Sequence, residues 1–288
     1  MIYNTKNIKD IDLKKYKRHF TFGCSFTNYS WNTWADHMGK NFDKFINYGK
    51  IGAGNQYILH KLTESDAKGE ISNSDNVAIM WSTAIRYDAW LNGTWRSLGN
   101  VFNNGYSKEF TDLVDPTGFL IRDYSFIHAA KKILDNIGCR YIFFSMTPLD
   151  HFSEYAKDRW LDRMSDKKTV QQYKKIYSKT IECILPSAFE VLWQNDWTTR
   201  TTELNPSDKA YEDFAGADWP AIKDLQAGTV NEKDYSYEII EEMCDYLHAE
   251  NFNDLVNNKL YIPRDLHPTP EMHLEYLDAV LPDWQTWH

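Results

Sequence analysis

The 288-residue chain has no apolar run approaching the roughly 18 residues that a membrane-spanning helix needs. It is also short of positive charge. Thirty-two Lys and Arg against 41 Asp and Glu leave a formal net charge of −9, and the densest basic stretch is Lys14-Lys15 with Lys17-Arg18. Capture of nucleic acid or of an anionic membrane is therefore not expected. Cysteine is scarce: Cys24, Cys139, Cys183 and Cys244 stand far apart, with no C-x-x-C spacing, which excludes a zinc or disulfide framework and suits free thiols in a reducing compartment. The N-terminus lacks the basic end and apolar core of a secretory signal, so a cytoplasmic protein is expected. Asn28-Tyr29-Ser30 and Asn92-Gly93-Thr94 then match glycosylation acceptors only by chance. Aromatic residues are plentiful: 11 Trp, 18 Tyr and 15 Phe make up 15% of the chain. Indole N–H and phenol O–H need partners when buried, so part of this set is expected to line a cleft or an interface.

Hydrophobic patterning gives the fold class. Arg18 to Phe22, Phe45 to Tyr48, Asn76 to Trp81 and Tyr141 to Phe144 read as strands, the third apolar almost throughout, as in a strand covered on both faces. Helical spacing runs from Asn55 to Lys68, along Phe126, Ile127, Ala130, Ile133 and Leu134 up to a C-cap at Gly138, from Thr169 to Ile184, and over Glu238–Ala249 and Pro270–Leu281. Strand and helix in alternation predict an α/β fold of three layers around a doubly wound, mostly parallel sheet. Residues 86–118 read as an elaborated loop. Residues 150–236 read as a cap or lid holding a short strand near Phe189–Trp193. With no repeat or linker, a single domain over 1–288 with these two insertions is expected.

In open α/β sheets, ligands sit beyond the carboxyl ends of the strands. The residues there are Gly23-Cys24-Ser25-Phe26-Thr27 after the first strand, the glycine-rich Asn47–Asn55 after the second, and Ser82–Arg86 after the third. Arg264-Asp265-Leu266-His267-Pro268 stands near the C-terminus. Together they offer a hydroxyl nucleophile, backbone donors and a histidine beside an aspartate.

The order and content of these blocks resemble the SGNH (GDSL-like) hydrolases. The resemblance implies a flavodoxin-like sheet, with Ser25 as nucleophile, His267 as base, Asp265 as the group that orients it, and Gly52 as an oxyanion-hole donor. Two departures stand out. Cys24 occupies the place of the family's Asp, and the third block, Met80 to Arg86, lacks the Asn that supplies an oxyanion donor. Asn55, Ser82, Thr83 and Arg86 are candidates to replace that donor, and Arg86, Trp81 and Trp90 are candidates for substrate binding. The Asp lies two residues before the His rather than three, with Arg264 at the matching place.

The implied reaction is hydrolysis of a carboxylic ester, with an O-acetylated carbohydrate as the substrate that the resemblance and the aromatic content together favour. The partner is thus a small-molecule or glycan ester, and no cofactor or metal is called for. His273, six residues after His267, is not on the same helical face and reads as a packing residue. Gly52-Ala53-Gly54 lacks the rest of a phosphate-loop pattern. Cys24 reads as a small buried residue rather than a nucleophile. Two alternatives stay open: a degenerate SGNH-like module that binds glycan or protein, and acyl transfer to an alcohol on the same site.

Overall fold

The computed structural model describes residues 17–29, 31–102, 106–150, 167–194, 231–236, 239–241, 244, 252 and 267–286. Four strands, β1 (Arg18–Phe22), β2 (Lys44–Asn47), β3 (Asp75–Trp81) and β6 (Arg140–Ser145), form a parallel sheet in the order β2-β1-β3-β6. The central β3 is buried at every position, which explains why its sequence is apolar without alternation. Arg18 grips Asp75 through two N–H···O contacts of 2.7 and 2.6 Å and so ties the start of β1 to the start of β3.

Helices cover both faces. On one, α1 (Trp34–Gly39) and α8 (Pro270–Val280) bring Trp34 and Tyr276 against Phe144 of β6, at 4.8 and 5.8 Å between ring centroids. On the other, Tyr141 of β6 donates to Asp135 of α4 (Pro116–Ile137), and Phe143 meets Trp81 edge-on at 5.7 Å. α2 (Asn55–Ala67) packs beside α4. Alternate residues of β6 thus point to opposite layers, as a two-residue side-chain period requires. This is the three-layer α/β architecture expected from the sequence. No helix among the described residues is long and apolar enough to cross a membrane.

Three expectations need correcting. Residues 86–118 are not a loop: β4 (Arg86–Leu91) and β5 (Thr94–Asn100) form an antiparallel hairpin, followed by α3 (Lys108–Leu113). Asn92 and Gly93 turn it with φ of 52° and 80°, the positive pair that a two-residue hairpin loop demands. The segment around Phe189–Trp193 is a helix, α7 (Ala188–Trp193), because Ser187 and Glu190 cap it reciprocally. Its extended neighbour lies earlier, where Ile184 bridges Phe143 in parallel at the β6 edge. The helix expected over Thr169–Ile184 is broken into α5 (Lys167–Ile176) and α6 (Ser178–Ile181). The expected Glu238–Ala249 helix lies largely outside the described residues.

Candidate active site

Ser25 stands where the chain leaves β1. Thr27 N and Asn28 N both donate to Cys24 O, at 2.9 and 3.2 Å, and close a single tight turn around Ser25, which is 2% exposed. Gly23 permits this exit, since a Cβ there would lie 1.9 Å from Thr27 Oγ1 and 3.1 Å from Met80 O. The turn is fixed from outside at Thr27 O, which accepts from Asn47 Nδ2 at the end of β2 and from Thr33 Oγ1 ahead of α1, both at 2.8 Å.

His267 comes from the other end of the chain, 242 residues on, and its Nε2 lies 2.7 Å from Ser25 Oγ. Its ring stacks on Tyr29 with centroids 4.0 Å apart and planes 11° apart, and Phe26 tilts against it at 5.2 Å. The next residue is held as well: Trp31 Nε1 donates to Pro268 O at 2.8 Å. Pro270 and the Thr269 cap then start α8. Phe26, Tyr29 and Trp31 all follow Ser25 on the same loop, so one short segment presents the hydroxyl and cradles the imidazole. The sequence carried this signal as aromatics spaced just after Ser25.

The other candidates fall into place around this pair. Asn55, at the start of α2, clamps the end of β3. Its Nδ2 donates to Ser82 O (3.0 Å) and to Asp123 Oδ2 (2.7 Å), and its Oδ1 accepts from Ser82 N (2.8 Å). Both amide hydrogens are thereby engaged, so Asn55 is a structural clamp here rather than an open donor. Asp123 is fully buried. Burial pushes its pKa up to about 6 against the opposing pull of Arg122, which contacts it at 2.7 Å. Ser82 Oγ is buried with no hydrogen-bond partner among the described residues.

Gly52 has φ of +75°, and a Cβ there would lie 2.6 Å from Ser97 O of β5, so the close approach that demands glycine is to the hairpin. The part of this block that meets the Ser25 turn is Gly49-Lys50: Asn28 Nδ2 donates to Gly49 O and Lys50 N to Gly23 O, both at 3.1 Å. Arg86 reaches back over the same loop, donating from Nη1 to Ala53 O at 3.0 Å, while its Nη2 lies 3.8 Å from Met146 Sδ. That sulfur is also 3.9 Å from Cys24 Sγ. Asp88, two residues on, does not pair with Arg86. Asp88 instead accepts from Gly54 N, Tyr57 N and Ser97 Oγ.

Trp81 is corrected as a substrate contact: it is 0% exposed, enclosed in the sheet core against Phe143. Trp90 is 59% exposed on the hairpin, with its edge toward Trp95, which in turn packs on Tyr57 and His60 of α2. Trp193 is buried near Phe26. Asp265 lies outside the described residues. His273 packs edge-on against Phe26, and burial holds its pKa well below the ordinary histidine value. Cys24 is buried beside Met146, and Cys24, Cys139 and Cys183 are free thiols. Among the described residues, no group of three or more His, Cys, Asp or Glu is placed to hold a metal ion.

No family model and no curated protein matches the chain. Solved structures do. A lipolytic protein of the G-D-S-L family from Veillonella parvula is 15% identical, with a TM-score of 0.38, over 75% of this chain and 100% of that one. A GDSL-like lipase from Bacteroides thetaiotaomicron is 15% identical, with a TM-score of 0.35, over 98% and 95%. A lipase/acylhydrolase from Enterococcus faecalis is 13% identical, with a TM-score of 0.33, over 69% and 92%. Likenesses of this degree leave function to be argued from the site itself. The chain is an α/β protein with a parallel sheet layered between helices, similar to GDSL-like hydrolase structures at low sequence identity.

Proposed function

We propose that the protein is a serine hydrolase of carboxylic esters. The observation that carries this reading is the 2.7 Å contact between Ser25 Oγ and His267 Nε2, formed at the carboxyl end of the sheet by residues 242 positions apart. A nucleophile and base in hydrogen-bond reach are what acyl transfer requires. As Ser25 Oγ bonds to the ester carbonyl carbon, its proton passes to His267 Nε2 and the carbonyl electron pair moves onto oxygen. Collapse expels the alcohol, which takes that proton from His267, and water then repeats the sequence on the acyl-enzyme. Backbone N–H groups at Ser25 and Gly52 are the main-chain candidates to bind the oxyanion.

The tight packing around the pair agrees with a positioned site, since Tyr29 and Phe26 limit the motion of the His267 ring. The finer expectation of a sugar ester gains no support from the tryptophans. Trp81 and Trp193 are core residues, and Trp90 stands on the hairpin, so the reading stops at the ester bond. The test is turnover of p-nitrophenyl acetate together with covalent labelling by a fluorophosphonate probe. Both are expected in the native chain and both are expected to vanish in Ser25→Ala. A folded native chain that neither turns over nor labels would defeat the proposal.

A further inference from the structure

The third block lacks an asparagine, and at the end of β3 the main-chain groups of Ser82 are already engaged. Ser82 N and O are bonded to the Asn55 side chain, and the remaining Asn55 amide hydrogen goes to Asp123. Ser82 itself is 0% exposed. Four residues further on, Arg86 keeps partial exposure. Its guanidinium joins two of the blocks: Nη1 donates to Ala53 O beside Gly52, and Nη2 points to Met146 Sδ, the same sulfur that Cys24 Sγ touches next to Ser25.

Two features set this arginine apart. Among the described residues no carboxylate neutralises it, because Asp88 has turned away to cap α2, whereas Arg122 nearby is paired with Asp123. One of its charged N–H groups also faces a thioether, a weak acceptor, and its buried Nε has no acceptor at all among the described residues. A guanidinium part-shielded from water and facing soft or absent acceptors gains most from an anionic oxygen.

We infer that Arg86 is a catalytic residue: its Nη2–H takes the place of the missing asparagine donor and binds the oxyanion that forms as Ser25 attacks the ester. The inference rests on the hydrolase reading above. In the resting enzyme the guanidinium lies between Ala53 O and Met146 Sδ. When the tetrahedral intermediate forms, the oxyanion replaces sulfur as the acceptor, and it is given up again as the carbonyl is restored. No proton is transferred at Arg86, which stays charged throughout. Because the interaction exists only once negative charge has developed on the carbonyl oxygen, it acts on kcat more than on KM.

The experiment compares native chain, Arg86→Gln and Arg86→Lys on a neutral ester, p-nitrophenyl acetate, and on an anionic one, p-nitrophenyl hemisuccinate, with melting curves to verify folding. Arg86→Gln is expected to lower kcat on the order of 10²–10³-fold for both esters, the usual cost of one lost oxyanion donor, while KM changes little. Arg86→Lys keeps the charge and is expected to retain more of kcat, and it carries the test if Arg86→Gln does not fold. Native-like kcat in Arg86→Gln would overturn the assignment and leave the Ser25–His267 reading standing. A loss confined to KM for the anionic ester would also overturn it, since Arg86 would then bind a substrate carboxylate. A native chain without turnover or Ser25 labelling would remove both readings together.

Discussion

Tyr29 shows how much of the site depends on one side chain outside the reacting pair. Its ring lies parallel to His267 at 4.0 Å, a contact that restrains the imidazole in the orientation bringing Nε2 to Ser25 Oγ. Aromatic pairs of this kind are worth about 0.5–1.5 kcal/mol beyond area burial. Tyr29→Leu is therefore expected to lower kcat up to about tenfold, because the imidazole has lost the stacking partner that orients it. Tyr29→Phe keeps the ring and is expected to stay close to native. If Phe and Leu behaved alike, stacking would not be what holds His267. Ser25, His267, Gly52 and Arg86 were all nameable from the sequence blocks. Tyr29 and Trp31 stand in the sequence just after Ser25, but their contacts with His267 and Pro268 cross more than 230 residues and are made only by the fold.

Among the elements, the β4–β5 hairpin departs most from expectation. Asn92-Gly93 was legible as a two-residue turn, but flanking strands with only partial apolar alternation hid it. What fastens the hairpin to the molecule is Asp88, a buried carboxylate accepting from Gly54 N and Tyr57 N at the start of α2 and from Ser97 Oγ on β5. It satisfies helix N–H groups that no local cap reaches, and it sits well against the positive end of the helix. Asp88→Ala leaves those N–H groups buried and unpaired, for an expected loss of about 3 kcal/mol in urea unfolding. The same change is expected to loosen the Trp95 contact with Tyr57, read as increased tryptophan quenching. An unchanged midpoint would mean that the hairpin docks through its rings alone.

At the scale of the whole molecule, buried ionisable groups set the response to pH. His19, His37 and His273 all have pKa values lowered by burial, His19 to about 3. Below the ordinary histidine value of 6.5 the unfolded chain takes up protons that the folded chain refuses, so stability falls as pH falls through that range. Asp123 works in the opposite sense. Its folded pKa of about 6 exceeds the ordinary 3.8, so between those values the folded chain holds the extra proton and gains stability toward acid. Three imidazoles outweigh one carboxylate, and the displacement of His19 alone, from 6.5 to about 3, exceeds that of Asp123. The unfolding free energy is expected to drop by about 1–2 kcal/mol per pH unit between pH 6 and 4.5, measured by urea titration. A flat profile would mean that these histidines are protonated in the folded state.

Local pattern determined the elements of the central sheet and the order of the blocks at its carboxyl ends. Strand apolarity, helix spacing and the turn residues after each strand are properties of neighbours in sequence, and they sufficed to foresee a parallel α/β fold, while the resemblance of the blocks after the strands pointed to Ser25 and His267. Tertiary structure alone decided which polar groups are spent and which remain open. Asn55 is consumed by Ser82 and Asp123, Asp88 by α2, and Trp81 by the core, while Arg86 faces Ala53 O and Met146 Sδ with no carboxylate on it among the described residues. Residues of the same type look equal in a sequence. Their hydrogen-bonding capacity is finite, and only the fold brings together the partners that use it up.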